Sequence, residues 1–190
     1  MRVVRRAKHT RGQVESSQRI IAGRLLMVDG YKPLLDTIIE FLLSIGFQIR
    51  KTELSQQTFL PGIAVVQGTI LIDESKLLYP GDLLHEAGHL AVITGEKRRQ
   101  AKEDFSKKAS EELMAIAWSY AALVHLGLEP PIVFHSGGYR GWSDALIENF
   151  TKGRYIGVPM LQWIGLTADE KRAKEMGIMA YPSMINWVLD

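Results

Sequence analysis

The stretch most suited to chemistry runs from residue 82 to residue 92 and contains the pattern His-Glu-x-x-His. The flanking residues predict a helix, because Asp82 is a favourable N-cap and Gly95 is typical of a helix end. On a helix, residues four apart lie about 40° apart around the axis and roughly one turn along it. His85 and His89 are therefore expected on one face.

Two neutral imidazoles on one helical face can share a Zn²⁺ ion, and Glu86, beside the first, can act as general base on a metal-bound water. The alternative is two histidines and a glutamate on the solvent side of an amphipathic helix. Gly88 favours the metal site, because glycine inside a helix costs about 1 kcal/mol relative to alanine and indicates that another segment approaches closely.

A catalytic zinc site needs a third protein ligand, with the fourth position left to water. A helix predicted over residues 111–124 carries Glu112 on a face of small residues, which would let two helices approach closely, so Glu112 is the preferred ligand. Glu111 is the nearest alternative, and His135, in a glycine-rich loop, is another. His125 lies about 220° round the helix from Glu112 and about 20 Å along it, so the two cannot share a site.

The elements around these residues predict an α+β protein. Strands are expected over Phe47–Glu53, Ile63–Val66 and Thr69–Ile72, which are short runs bounded by turn residues. Apolar spacing and capping residues predict further helices over residues 14–28, 33–45, 144–150 with Ser143 as its N-cap, 157–164, and 168–176. The polar stretch 96–110 is expected to be a mobile connection or a solvated helix.

Composition limits the class of protein. At 190 residues, with 46% apolar and 23% charged residues, the chain is that of an ordinary globular domain. It contains no cysteine, which excludes disulfides, thiolate zinc sites and a cysteine nucleophile. The apolar run Ile20–Gly23 is cut by Arg24, so we expect it to be neither a signal peptide nor a transmembrane span, and we expect no membrane partner and a cytoplasmic location.

Charge is distributed unevenly along the chain. Residues 1–28 form a basic N-terminal arm, which is more often a poorly ordered terminus than a nucleic-acid contact. The net charge of +2 is too small to imply a nucleic-acid partner. We expect the arm to precede a core over residues 29–126, followed by a helical C-terminal extension over residues 127–190 packed on that core.

Over roughly residues 60–126 the chain resembles the ImmA/IrrE-type zinc metallopeptidases. Their first motif is matched by His-Glu-Ala-Gly-His, and their second is commonly Glu-x-x-Ala-Asn-x-Phe-Ala. The second motif is matched here by Glu112, Ala115, Trp118 and Ser119. The sequence departs from it at Ile116, where the family usually has asparagine, and in the replacement of phenylalanine and alanine by tryptophan and serine.

The resemblance implies a zincin-like α+β fold: a small sheet of about three strands packed on the HExxH helix and on a second ligand-bearing helix, with additional C-terminal helices. It implies zinc bound by His85, His89 and Glu112, with Glu86 as base and acid. It also implies a substrate peptide laid along an edge strand near residues 63–72.

The sequence therefore predicts a zinc metallopeptidase acting on a protein or peptide. Such a site also needs a hydrogen-bond donor for the oxyanion, and His135, Tyr139 and Arg140 are candidates because nearby glycines allow close approach of the loop to a ligand. The alternative for that loop is an ordinary exposed connection. The alternative function is a noncatalytic zincin-like regulatory or scaffold protein that binds a partner, with nucleic-acid binding through the arm as a weaker possibility.

Overall fold

The computed structural model describes residues 30–102 and 108–190. The chain divides into two units, Met1–Asp36 and Thr37–Asp190, with the boundary inside the first described helix. The predicted basic arm and the helix predicted over residues 14–28 lie outside the described residues. The predicted division at residue 126 stays a prediction.

The described ranges contain seven α-helices and one three-stranded mixed sheet, which confirms the α+β prediction. In chain order the elements are α1 (Tyr31–Ser44), β1 (Gln48–Lys51), β2 (Ile63–Val66), β3 (Thr69–Ile72), α2 (Asp82–Ala91), α3 (Gly95–Gln100), α4 (Ala109–His125), α5 (Ser143–Thr151), α6 (Val158–Trp163) and α7 (Glu170–Met176). Within these ranges no helix has the length and apolar character needed to cross a bilayer.

The sheet has the order β1-β3-β2, with β3 parallel to β1 and antiparallel to β2. Gln67 and Gly68 join β2 to β3 and both have positive φ, 51° and 75°. Two such residues match the type I′ turn, whose twist suits a two-residue hairpin. Because β3 lies between the other two strands, β2 is at an edge of the sheet and β3 is at its centre.

The connection from β3 to α2 is organised by Asp73, whose side chain is buried. Its carboxylate accepts hydrogen bonds from the Leu54 N–H at 3.0 Å and from the Ser75 hydroxyl at 2.6 Å, and Lys76 Nζ lies 3.2 Å away. These bonds hold the pKa of Asp73 well below its usual range, and the bond from the Leu54 N–H has the largest effect. The ionised carboxylate thus stabilises the turn that leads into α2.

We expect Asp73→Asn to weaken the fold and to reduce its sensitivity to acid. Since the pKa of the folded-state carboxyl lies below the unfolded value of about 3.9, its contribution is present above that value and is lost as the pH falls through the folded-state pKa. Acid unfolding, followed by circular dichroism, should take up fewer protons, by up to about one, so its dependence on pH should be less steep. The exposed Glu74→Gln is the matched control, and an equal change in both variants would contradict the assignment.

The metal-motif helix α2 packs along α4, and Gly88 is at their contact. A Cβ at this position would lie 2.9 Å from the carbonyl oxygen of Ala115 and 3.3 Å from the ring of Trp118. Only glycine permits this approach without a backbone shift. The sequence argument that something must come close to Gly88 therefore agrees with the packing.

Gly88→Ala is expected to lower the free energy of unfolding by about 1–3 kcal/mol, the usual cost of overpacking, although alanine is the better helix former. Gly95→Ala is the matched control, because its Cβ would meet only the flexible side chain of Arg99, at 3.4 Å. Urea unfolding of both variants measures the difference. Equal or greater stability of Gly88→Ala would contradict the close packing.

Two predicted helix ends differ from the structure. α2 ends at Ala91, and Gly95 begins α3 instead of stopping α2. The N-cap position of α2 is Gly81, while Asp82 is the first helical residue and makes no capping bond. The Asp82 carboxylate is instead used in a contact with His135.

The C-terminal residues are bonded to both helices of the pair. The Tyr181 hydroxyl donates to the Ala117 carbonyl at 2.8 Å, and Trp118 Nε1 donates to the Trp187 carbonyl at 2.7 Å. The Leu189 N–H donates to the carbonyl of Ala91, the last residue of α2, at 2.9 Å. These bonds join the final segment to the end of α2 and to the middle of α4.

Some apolar residues of the C-terminal helices are not in the core. Trp163 and Met179 are 90% and 75% exposed. Trp187 is partly buried and its ring packs 5.5 Å from that of Trp118.

Candidate metal centre

The packing of α2 on α4 brings together His85, His89 and Glu112. The two Nε2 atoms are 3.2 Å apart. Glu112 Oε1 lies 3.5 Å from His85 Nε2, and Glu112 Oε2 lies 3.2 Å from His89 Nε2. Each of the three side chains thus brings a ligand atom of a kind that zinc prefers within 4.8 Å of the other two.

These distances fit the metal that the motif predicts. Ligands about 2.0–2.1 Å from a tetrahedral zinc ion are separated from one another by roughly 3.3–3.4 Å. The nitrogen–nitrogen separation of 3.2 Å is close to that value, and each nitrogen has one of the two Glu112 oxygens at 3.5 or 3.2 Å. Two imidazoles and one carboxylate also form a donor set known for catalytic zinc, with one position left for water or substrate.

The cluster is buried on one side and open on the other. The side chain of His89 is fully buried and that of His85 is 12% exposed, whereas that of Glu112 is 41% exposed. Glu86, the proposed base, is also buried, on the helix that carries both histidines. A ligand would therefore approach from the side of α4 on which Glu112 lies.

Neither alternative third ligand is part of the cluster. Glu111 Oε2 lies 3.5 Å from the backbone nitrogen of Lys108, beside the first turn of α4. His135 Nε2 lies 2.8 Å from Asp82 Oδ1, one helical turn before His85.

Tyr139 is a loop residue in contact with the metal-motif helix. Its ring packs edge-to-face against that of His85, with centroids 5.5 Å apart. Its hydroxyl is buried and has no hydrogen-bond partner among the described residues. Burial, with the negative charges of Asp82 and Glu112, raises the pKa of this phenol, so it stays protonated and can donate a hydrogen bond.

The other loop candidates are placed differently. Arg140 is exposed, next to Tyr139, and both have left-handed backbones, with φ of 50° and 54°. Ser143, predicted as an N-cap, is the first residue of α5, and its hydroxyl donates to the His135 carbonyl at 2.7 Å.

Sequence reasoning missed the contact of Asp82 and Tyr79 with His135. Tyr79 stacks on the His135 ring with centroids 3.7 Å apart and an angle of 10°. No local signal could reveal this arrangement, because Asp82 and His135 are separated by 53 positions and Asp82 also suits a helix N-terminus.

Comparison of the chain with protein-family models, with curated proteins and with solved structures gives no match.

Proposed function

We propose that the protein is a zinc-dependent peptidase with a zincin-like fold, in which His85, His89 and Glu112 hold the metal. The observation that carries the proposal is the convergence of the two histidine Nε2 atoms with the Glu112 carboxylate, at nitrogen–nitrogen and nitrogen–oxygen distances of 3.2–3.5 Å. The general base that the motif requires is present on the same helix, as Glu86.

The groups of the chain divide the work of hydrolysis. Zinc bound at such a site lowers the pKa of water and polarises a carbonyl. The Glu86 carboxylate accepts a proton from the attacking water and delivers it to the leaving amine nitrogen. The Tyr139 hydroxyl donates a hydrogen bond to the substrate carbonyl oxygen as negative charge develops on it. His135 is held by Asp82, so Tyr139 is the preferred donor in the loop.

A peptide substrate would be held in an extended conformation. β2 is the edge strand nearest in sequence to α2, and an extended chain can add to such an edge through backbone hydrogen bonds. In this proposal β2 aligns the peptide, and the side chains on α2 and α4 act on one of its bonds.

The purified protein is expected to contain about one zinc per chain and to hydrolyse fluorescently labelled casein, with activity lost on chelation and restored by Zn²⁺. Elemental analysis and the casein assay measure the two quantities separately. A protein that takes up no zinc at micromolar concentration would overturn the proposal.

A noncatalytic partner-binding protein is the second candidate, favoured by four exposed apolar side chains. Met176, Ile178 and Met179 are 49%, 40% and 75% exposed at and just after the end of α7, and Trp163, at the end of α6, is 90% exposed. Exposed apolar groups of this kind are common at protein interfaces. A protein that binds zinc but hydrolyses no peptide would favour this candidate.

A further inference from the structure

The glycine-rich loop after α4 is fastened to the metal-motif helix through one pair of side chains. His135 Nε2 lies 2.8 Å from the Asp82 carboxylate, and both side chains are about nine-tenths buried. The Tyr79 ring stacks on the imidazole at 3.7 Å and fixes its plane. A hydrogen bond to a charged group in such surroundings is stronger than one in water.

The backbone around His135 is held as well. Its carbonyl accepts from the Ser143 hydroxyl at 2.7 Å and from the Gly138 N–H at 3.1 Å. The chain then passes so close to the stacked rings that a Cβ at Gly137 would lie 2.8 Å from the Tyr79 hydroxyl. Gly137 and Gly138 thus let the loop pass close to the rings of Tyr79 and His135.

Tyr139 follows directly, in a conformation that is costly by itself. It and Arg140 both adopt left-handed backbones, which are unfavourable for residues other than glycine. The Tyr139 hydroxyl is buried without a partner in the described part of the chain, which adds a further cost. Such a conformation persists only where the neighbouring structure imposes it. Here that neighbouring structure is the segment held around His135.

We infer that Asp82 and His135 form a positioning clamp that fastens the loop to the first turn of α2, so that the Tyr139 hydroxyl faces a ligand bound at the metal centre. His135 is then a positioning residue that acts through Tyr139, neither a metal ligand nor a donor to substrate. The part of this inference that concerns the ligand rests on the proposed function.

The clamp itself is tested by hydrogen exchange on the full chain. His135→Leu and Asp82→Ala should each raise the exchange rate of backbone amides in residues 136–142 by about tenfold or more, because they open the same contact. Asp82→Asn keeps an oxygen acceptor for His135 and should retain most of the protection. Unchanged exchange in both disruptive variants would overturn the clamp.

Amides of α7 report whether a variant is globally folded. If His135→Leu lost protection there as well, Asp82→Ala would decide the question, because it removes the acceptor without placing a new group in the loop. Loss of loop protection in Asp82→Ala with α7 unchanged supports the clamp, and retained loop protection overturns it.

The role of Tyr139 is tested by calorimetry on the zinc-loaded protein, with acetohydroxamate as the probe. Tyr139→Phe removes only the hydroxyl and should weaken binding about tenfold, the loss expected for one hydrogen bond to a charged ligand. His135→Leu should weaken binding similarly, but should have little further effect in the Tyr139→Phe background. Equal effects of His135→Leu in both backgrounds would show that it does not act through Tyr139.

The two proposals fail in different ways. A protein that takes up no zinc would overturn the peptidase proposal, while hydrogen exchange would still decide the clamp. A zinc-loaded, active protein whose loop is indifferent to Asp82→Ala and His135→Leu would overturn the clamp alone.

Discussion

Replacing Glu86 by glutamine is expected to reduce kcat for peptide hydrolysis by about 10²–10⁴-fold, the usual contribution of a general base, while the protein keeps its zinc. Glutamine has nearly the same shape as glutamate, so it should fit the buried position without disturbing α2. It cannot accept a proton at neutral pH. The proposed metal ligands on either side, His85 and His89, are unchanged.

The measurement pairs casein hydrolysis with zinc content in the same preparation. Glu111→Gln is the matched control, because it makes the same chemical change at a carboxylate outside the metal cluster. The base assignment would be refuted by a Glu86→Gln protein that is fully loaded with zinc and fully active. Loss of zinc in this variant would indicate instead that Glu86 is needed to form the site.

The metal helix was predictable because its information is local. The spacing of His85 and His89, the glycine between them and the preceding turn all lie within about a dozen residues. Strand positions were predictable for the same reason, and β2 and β3 have the predicted limits. The strand predicted from Phe47 is shorter, covering Gln48–Lys51, because pairing with β3 determines its length.

The surroundings of the site were less predictable, because distant segments form them. The convergence of Glu112 on the histidines depends on how closely α2 and α4 pack, and the sequence hinted at it only through Gly88, the small residues near Glu112 and the match to the second motif. For Asp82 the local preference for a helix N-terminus suggested a capping role, whereas tertiary packing gives it His135 as partner. Periodicity carries no information about such pairs.

The exposed tryptophan of α6 illustrates another limit. Large apolar residues are usually buried, but that tendency does not say which particular ones are. The helix is only six residues long, and its buried side is already formed by Val158 and Leu161. Sequence pattern cannot decide which of several apolar residues on a short helix remain outside.

Removing Glu112 is expected to abolish zinc binding, whereas removing its neighbour Glu111 is not. Glu112 supplies oxygens 3.2 and 3.5 Å from the two histidine nitrogens, and Glu111 lies beside the backbone nitrogen of Lys108. Loss even of a group that only supports a ligand commonly costs 10–100-fold in metal affinity, so loss of a ligand should cost more than about 100-fold. Glu112→Ala should then match the ligand variant His89→Ala.

Zinc content and zinc-dependent stabilisation together distinguish the two glutamates. Excess zinc at about 100 times its dissociation constant adds roughly 2.7 kcal/mol to the free energy of unfolding of a protein that binds it when folded. Wild type and Glu111→Ala should show this gain, and Glu112→Ala and His89→Ala should not. If Glu111→Ala lost zinc while Glu112→Ala kept it, the third ligand would be displaced by one residue. The match between α4 and the second motif would then be wrong by one residue. The proposed relation between α4 and the metal centre would be wrong as well.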